Sequence, residues 1–468
     1  MTALGAASQG ARSASVTWQA TARSRATPVT GWPLIWLLVG YPLWWALGMG
    51  QFAYWLFAVP MLAELVRRHR TVGLRVPPWF WLWALFLVWT VLGSVLVSVE
   101  MPGTVPDSGG YPGAMLRVIN YLVLTVVMLY VGNLTERELP VRLVAGSLAV
   151  LCLVTIAGGY LGMLAPTFEF IAPLEYLMPG ALVSDPYMQT LIHPASAQVM
   201  DIFGYESARP KAPWEYTNIW GYMLSLLLVW LMVAWVVQGA GWARWGALLA
   251  TAVSVAPIVY SLNRALWAGL VLSLAFGAAQ ALRRGRVVLV GAGVVTTIAL
   301  LLTLAVSPLA DVVRERAENP HSDDGRAATN AAAVEAADLS PIVGWGTTRE
   351  GLGSSDSIAI GPSPECPGCG QHVIGNAGQL WMTLIASGWV GTSLFVAFFA
   401  LVAWRYRAAM TVVGQAALLT VLLLFWYMFF YVALMSPLAV TMISVALLWR
   451  VEEPLVAGRR AARAGGAW

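Results

Sequence analysis

The sequence predicts an all-α polytopic membrane protein, and three observations carry that expectation. Of 468 residues, 59% are hydrophobic and only 11% are charged, against about a quarter charged in an average soluble domain. The mean hydropathy is +0.71. The 24 tryptophans sit inside long apolar runs. This composition excludes a soluble globular enzyme, a disordered chain and a disulfide scaffold. An outer-membrane barrel is excluded as well, because its strands would read as alternating segments of about ten residues.

In chain order, residues 1–31 are rich in Ala, Ser, Thr and Arg and lack the apolar core of a signal peptide, so they are expected to form a disordered cytoplasmic tail. Residues 32–450 read as a single transmembrane domain. Its apolar runs fall at about 32–48, 50–66, 78–99, 114–132, 141–165, 214–238, 243–260, 265–282, 287–306, 377–404, 411–432 and 437–450. Each is close to the roughly 20 residues that cross a bilayer, which gives twelve spans. Residues 451–468 form a second cytoplasmic tail. Most of the 27 basic residues fall on the face shared by the two tails, whereas most acidic residues fall on the other. By the positive-inside rule both termini are cytoplasmic. Two long segments, about 166–213 and 307–376, then face outward, and loops of that length in a compact protein are usually functional.

Polar residues gather where these outward segments meet the spans. Arg264 lies in a turn too short to leave the outer membrane boundary. Arginine at such depth pairs, faces a polar cavity, or snorkels to the interface. Arg326 belongs to a stretch that Ser322 or Asp323 would cap and Pro341 would end, so an Ala-rich helix is expected to Leu339. Its place in the first turn favours anions, although a solvated pair with Asp323 or Asp324 would explain it too. Arg209, Lys211, Glu215 and Asn218 approach the sixth span together. There Trp214 and Tyr216 suit an aromatic belt, while the carboxylate does not. Asn376 and Gln379, three apart, would share a helix face and, with Trp381, line a sugar site; helix capping and packing are the plainer roles. Together the outward cations suggest an anionic ligand, and a diphosphate fits the guanidinium fork.

Cys366 and Cys369 form a C-x-x-C in the second outward loop, with His372 three residues on. A local disulfide, half of a zinc site and free thiols all fit. No second ligand pair accompanies them, so a closed structural zinc is not expected. No basic stripe suits a nucleic acid.

In this order, the segments resemble the O-antigen ligase / O-antigen polymerase superfamily of bacterial membrane glycosyltransferases. Asn263-Arg-Ala-Leu-Trp-Ala-Gly-Leu270 is similar to the family's S-R-x-x-W-x-x-L span start. Arg209 to Asn218 resembles its R-x-x-G…N segment, with the Gly replaced. Arg326 followed by Ser340-Pro-Ile-Val-Gly-Trp-Gly346 resembles its loop arginine and P-x-x-G-x-G. Gly375-Asn-Ala-Gly-Gln-Leu-Trp381 with Ser387-Gly-Trp-Val-Gly391 resembles H-N-x-x-L-x-x-x-x-x-G-x-x-G. The resemblance covers roughly 205–395.

It implies a C-type glycosyltransferase fold in the bacterial plasma membrane, acting in cell-surface polysaccharide biosynthesis. The enzyme would take saccharide from an undecaprenyl- or decaprenyl-diphosphate-linked donor to a glycan or lipid acceptor at the outer face. It implies no cofactor and no metal. Arg264 and Arg326 would hold the leaving diphosphate. The family's ligases carry a histidine just before the Asn, whereas this chain has Gly375 there. His372 or a carboxylate such as Glu215 would then act as base, and ligase and polymerase both stay open. A transporter or flippase of lipid-linked sugars is the competing reading. It predicts charge near mid-bilayer and broken helices in related halves, and the span interiors are nearly free of charge.

Overall fold

The computed structural model describes residues 30–105, 110–201, 206–238, 241–288, 322–351 and 373–465, with a few positions between 290 and 314. The first half holds α1 (Trp32–Val39), α2 (Tyr41–Ala46), α3 (Phe52–Thr71), α4 (Phe80–Gly93), α5 (Tyr111–Asn133) and α6 (Val141–Leu164). Three short helices follow, α7 (Pro173–Leu177), α8 (Gly180–Val183) and α9 (Pro186–Ile192). An antiparallel hairpin of β1 (Ala197–Asp201) and β2 (Glu206–Pro210) comes next. The chain continues through α10 (Thr217–Gln238), α11 (Gly241–Val253), α12 (Val255–Tyr260), α13 (Arg264–Arg283) and α14 (Ser322–Leu339). A two-residue ladder joins β3 (Arg349–Glu350) to β4 (Val373–Ile374). The last helices are α15 (Gln379–Arg405), α16 (Val412–Tyr427) and α17 (Ser436–Gly465).

Among the described residues, seven helices are long and apolar enough to cross a membrane. They match the expected spans at 78–99, 114–132, 141–165, 214–238, 243–260, 265–282 and 377–404. The other five expected spans differ for local reasons. The first divides at Gly40, where Pro42 starts a new helix. The second carries Arg67, Arg68 and Arg70 in its last turns. Much of 287–306 lies outside the described residues. The eleventh is a 16-residue helix ending at Tyr427. The twelfth is the start of the longer α17, which continues through the segment expected to be a tail.

The core forms around α10, α16 and α17, where apolar residues occupy every face. In α10, 78% of the span is buried, against 17% in α13, whose Val271 and Leu274 are exposed. Exposed apolar faces of that kind suit lipid. The Ala-rich α14 forms over the expected range and packs along α15.

The segment Ser340–Gly346 docks into a break in α15. Gly388 leaves helical geometry at φ 63°, which frees the carbonyls before it. Trp345 N donates to Ile385 O at 2.7 Å, Gly346 N to Ala386 O at 3.0 Å, and Trp389 N to Pro341 O at 2.8 Å. A Cβ at Gly344 would lie 2.5 Å from Gly388 N, and its φ of 71° favours glycine. The glycines of the two motifs therefore meet one another and serve close backbone packing.

The two ends of the bundle differ. At one end Arg68 pairs with Glu64 and Glu138, Arg405 with Glu453, and Arg450 with Glu136. The other end carries the β1–β2 hairpin, α7–α9, α14 and the starts of α5, α10, α13, α15 and α17.

Candidate functional site

Three arginines converge on one tyrosine. Tyr431 lies in the turn between α16 and α17, is 4% exposed, and donates its hydroxyl hydrogen bond to Asn263 Oδ1. Asn263 caps α13, its Oδ1 also accepting from Leu266 N at 2.9 Å. The cap fixes the start of α13, and so places Arg264. Arg209 reaches the same place from the end of β2. Its Nε donates to Ser261 O at 2.7 Å, and its head lies 3.4 Å from Asn218 Oδ1. Arg326 comes from α14 and stands over the Tyr431 ring, 5.8 Å from its centroid. Arg326, Arg209 and Arg264 all act electrostatically on the Tyr431 hydroxyl. Arg209 is buried, while Arg264 and Arg326 are half-buried. Such a cluster of fork-shaped donors favours a multiply charged oxyanion.

Glu215 lies in the link between β2 and α10, beside Lys211. Burial pushes its carboxyl up to about 7, although a backbone hydrogen bond and the Lys211 charge oppose the shift. Burial lowers the Lys211 ammonium, against the charges of Glu215 and Glu169. A carboxyl poised near neutrality is suited to proton transfer.

The fourth sequence segment behaves differently. Gln379 is 0% exposed. Its Nε2 donates to Tyr121 hydroxyl at 2.8 Å, and its Oε1 accepts from Ala433 N at 3.0 Å. Asn376 precedes the helix and is exposed, so the two do not share a helix face. Gln379 locks α15 to α5 and to the turn after α16, which also carries Tyr431. Trp381 donates to Phe429 O at 3.0 Å and packs against the cluster that includes Ala333, Ala336, Trp345 and Ile385. The candidates Cys366, Cys369 and His372 lie outside the described residues.

Tyr431 and two further arginines escaped the sequence reading. Arg117, 6% exposed, donates to Gly346 O at 2.8 Å and lies 3.3 Å from Thr347 Oγ1. Arg349, 2% exposed, donates to Val97 O at 2.8 Å and Trp345 O at 3.0 Å. Burial and the Arg117 charge push the Arg349 guanidinium down from its ordinary range. The signal for Arg117 was that it is the only charge in the 111–133 run. Among the described residues, no group of three or more His, Cys, Asp or Glu is placed to hold a metal ion. No family model, curated protein or solved structure matches the chain.

Proposed function

We propose that this chain is a metal-independent membrane glycosyltransferase of the O-antigen ligase/polymerase kind. It takes saccharide from a polyprenyl-diphosphate-linked donor at the extracytoplasmic face of the bacterial plasma membrane. The full reading has twelve spans and both termini in the cytoplasm. The observation that carries it is the convergence of Arg209, Arg264 and Arg326 on Tyr431.

Negative charge grows on the leaving diphosphate as the sugar departs. Preorganised donors aimed at that charge are usually the largest catalytic contribution. Arg264 and Arg326, half-buried, face the diphosphate, and Arg209 adds its field from behind. An acceptor hydroxyl attacks the anomeric carbon with inversion while Glu215 takes its proton. Asn218 and Lys211 position the polar groups around this centre. Asn376 and the partly exposed Trp381 edge are offered to the glycan by hydrogen bonding and stacking.

The test uses the purified protein in vesicles with a polyprenyl-diphosphate oligosaccharide. Wild type is expected to release polyprenyl diphosphate and lengthen or transfer the glycan. Arg264→Ala and Arg326→Ala should each accumulate intact donor. Movement of intact donor across the bilayer without cleavage would replace this reading with a transporter. Full turnover in both variants would remove it.

A further inference from the structure

Glu215 and His193 line the same small cavity. The cavity is about 10 Å³ and is lined by Trp45, Gly50, Thr190, His193, Trp214 and Glu215, among others. That is about the room one water needs, and Thr190, His193 and Glu215 in the lining are polar partners for it. His193 follows α9, which Asp185 caps by accepting from Met188 N at 2.8 Å. Its Nδ1 lies 2.9 Å from Glu175 Oε2. Glu175 is itself held at its other oxygen by Gln189 Nε2, 3.4 Å away. A carboxylate at Nδ1 keeps the proton on that nitrogen in the neutral ring and leaves Nε2 as the acceptor. Nε2 lies 3.8 Å from Glu169 Oε2, and the Glu169 side chain is 66% exposed. Lys211 feels both Glu215 and Glu169, so the two carboxylates flank one cation.

We propose that His193 completes a proton relay that empties Glu215 between turnovers, through one water in this cavity and out by Glu169. The inference rests on the glycosyltransferase reading for the proton's source. The acceptor O–H bond breaks as its oxygen bonds the anomeric carbon, and the diphosphate leaves with the electron pair of the old bond. Glu215 carboxylate takes the proton. The carboxyl then passes a proton to the water, which gives one of its own to His193 Nε2. The imidazolium releases it through Glu169 to solvent, and the carboxylate is restored.

Other titratable groups face the pair. Lys211, Tyr41, Tyr54, Tyr187 and Tyr216 interact electrostatically with Glu215, and Glu169 and Glu175 with His193. Among these groups His193 presents a ring nitrogen as acceptor, because Glu175 holds its other nitrogen.

The test follows the Glu215 carboxyl band by infrared difference spectroscopy after a pH jump. It uses the full-length protein in lipid nanodiscs, with Glu215→Gln to assign the band. His193→Gln should slow the response by on the order of a hundredfold, the lower end of what a positioned proton-transfer group contributes. Gly50→Ala gives a second, independent variant. Its methyl is added to a residue of the cavity lining, meets Tyr41 hydroxyl at 3.3 Å, and changes neither titrating group. It should slow the band similarly. An unchanged band rate in both variants overturns the relay, whatever the transfer activity. Slowed bands in a protein that transfers no sugar keep the proton path and discard the glycosyltransferase reading instead.

Discussion

Arg326→Ala separates catalysis from stability. The side chain comes from a half-buried position on α14 and stands 5.8 Å above the Tyr431 ring. Losing that cation–π contact costs about 0.5–1 kcal/mol of stability. Alanine is the best helix former, which offsets part of this. If Arg326 steadies charge on the departing diphosphate, its loss raises the barrier by about 3–4 kcal/mol, or 10²- to 10³-fold in turnover. The two effects differ severalfold, so they can be told apart. The assay pairs donor consumption in vesicles with thermal unfolding of the same preparation. Arg326→Lys keeps the charge without the planar fork and should recover only part of the rate. A folded Arg326→Ala protein that consumes donor within about threefold of wild type, roughly 0.7 kcal/mol, would refute the reasoning.

Three further perturbations follow from the same geometry. Glu215 has a folded-state pKa of about 7 against an ordinary 4.5. The folded protein therefore binds the extra proton between those values, and stability should fall as pH rises through that window. Glu215→Gln should flatten this slope in unfolding curves, and transfer by wild type should rise with pH through about 7 as the base loses its proton. Arg349→Met removes donors from the Val97 and Trp345 carbonyls, and should cost about 2–3 kcal/mol of stability by denaturant titration. Glu452 is 0% exposed and accepts from Met410 N, Thr411 N and Thr411 Oγ1. Glu452→Ala should cost about 2–4 kcal/mol by orphaning them, with transfer per folded molecule unchanged.

Arg209 and Arg264 were legible because each stands close to the start of an apolar run, and a charge at that point has few inexpensive explanations. The helix around Arg326 was legible for a local reason, since an Ala-rich stretch closed before Pro341 specifies itself. Tyr431 was not legible. An aromatic residue at the end of a span reads as interfacial belt, and its partner Asn263 lies 168 residues away. Gln379 failed for the same reason in reverse. Its pattern suggested an outward-facing polar site, but Tyr121 and Ala433, distant in sequence, absorb its amide. Helix boundaries were less legible where a run of constant hydropathy conceals a backbone break, as at Gly40, because hydropathy carries no information about φ and ψ.

The placement of arginine also argues for which end of the bundle meets an anion. At one end the guanidiniums of Arg68, Arg405 and Arg450 sit against carboxylates, so their charge is neutralised where it stands. At the other end Arg117 and Arg349 are bonded to backbone carbonyls. A carbonyl satisfies the hydrogens of a guanidinium and leaves its full positive charge. In a low-dielectric setting that charge is felt over longer distances than in water. The Arg117 charge does reach the Arg349 guanidinium. Arg117 and Arg349 therefore brace the segment 345–349 and keep their charge at the end of the bundle that carries Arg209, Arg264 and Arg326. It follows that Arg117→Met should weaken donor binding as well as the fold. Arg450→Met, which removes a guanidinium of comparable burial from Glu136 at the opposite end, should affect the fold alone. Equal effects of the two substitutions on donor KM would show that the field has no part in binding.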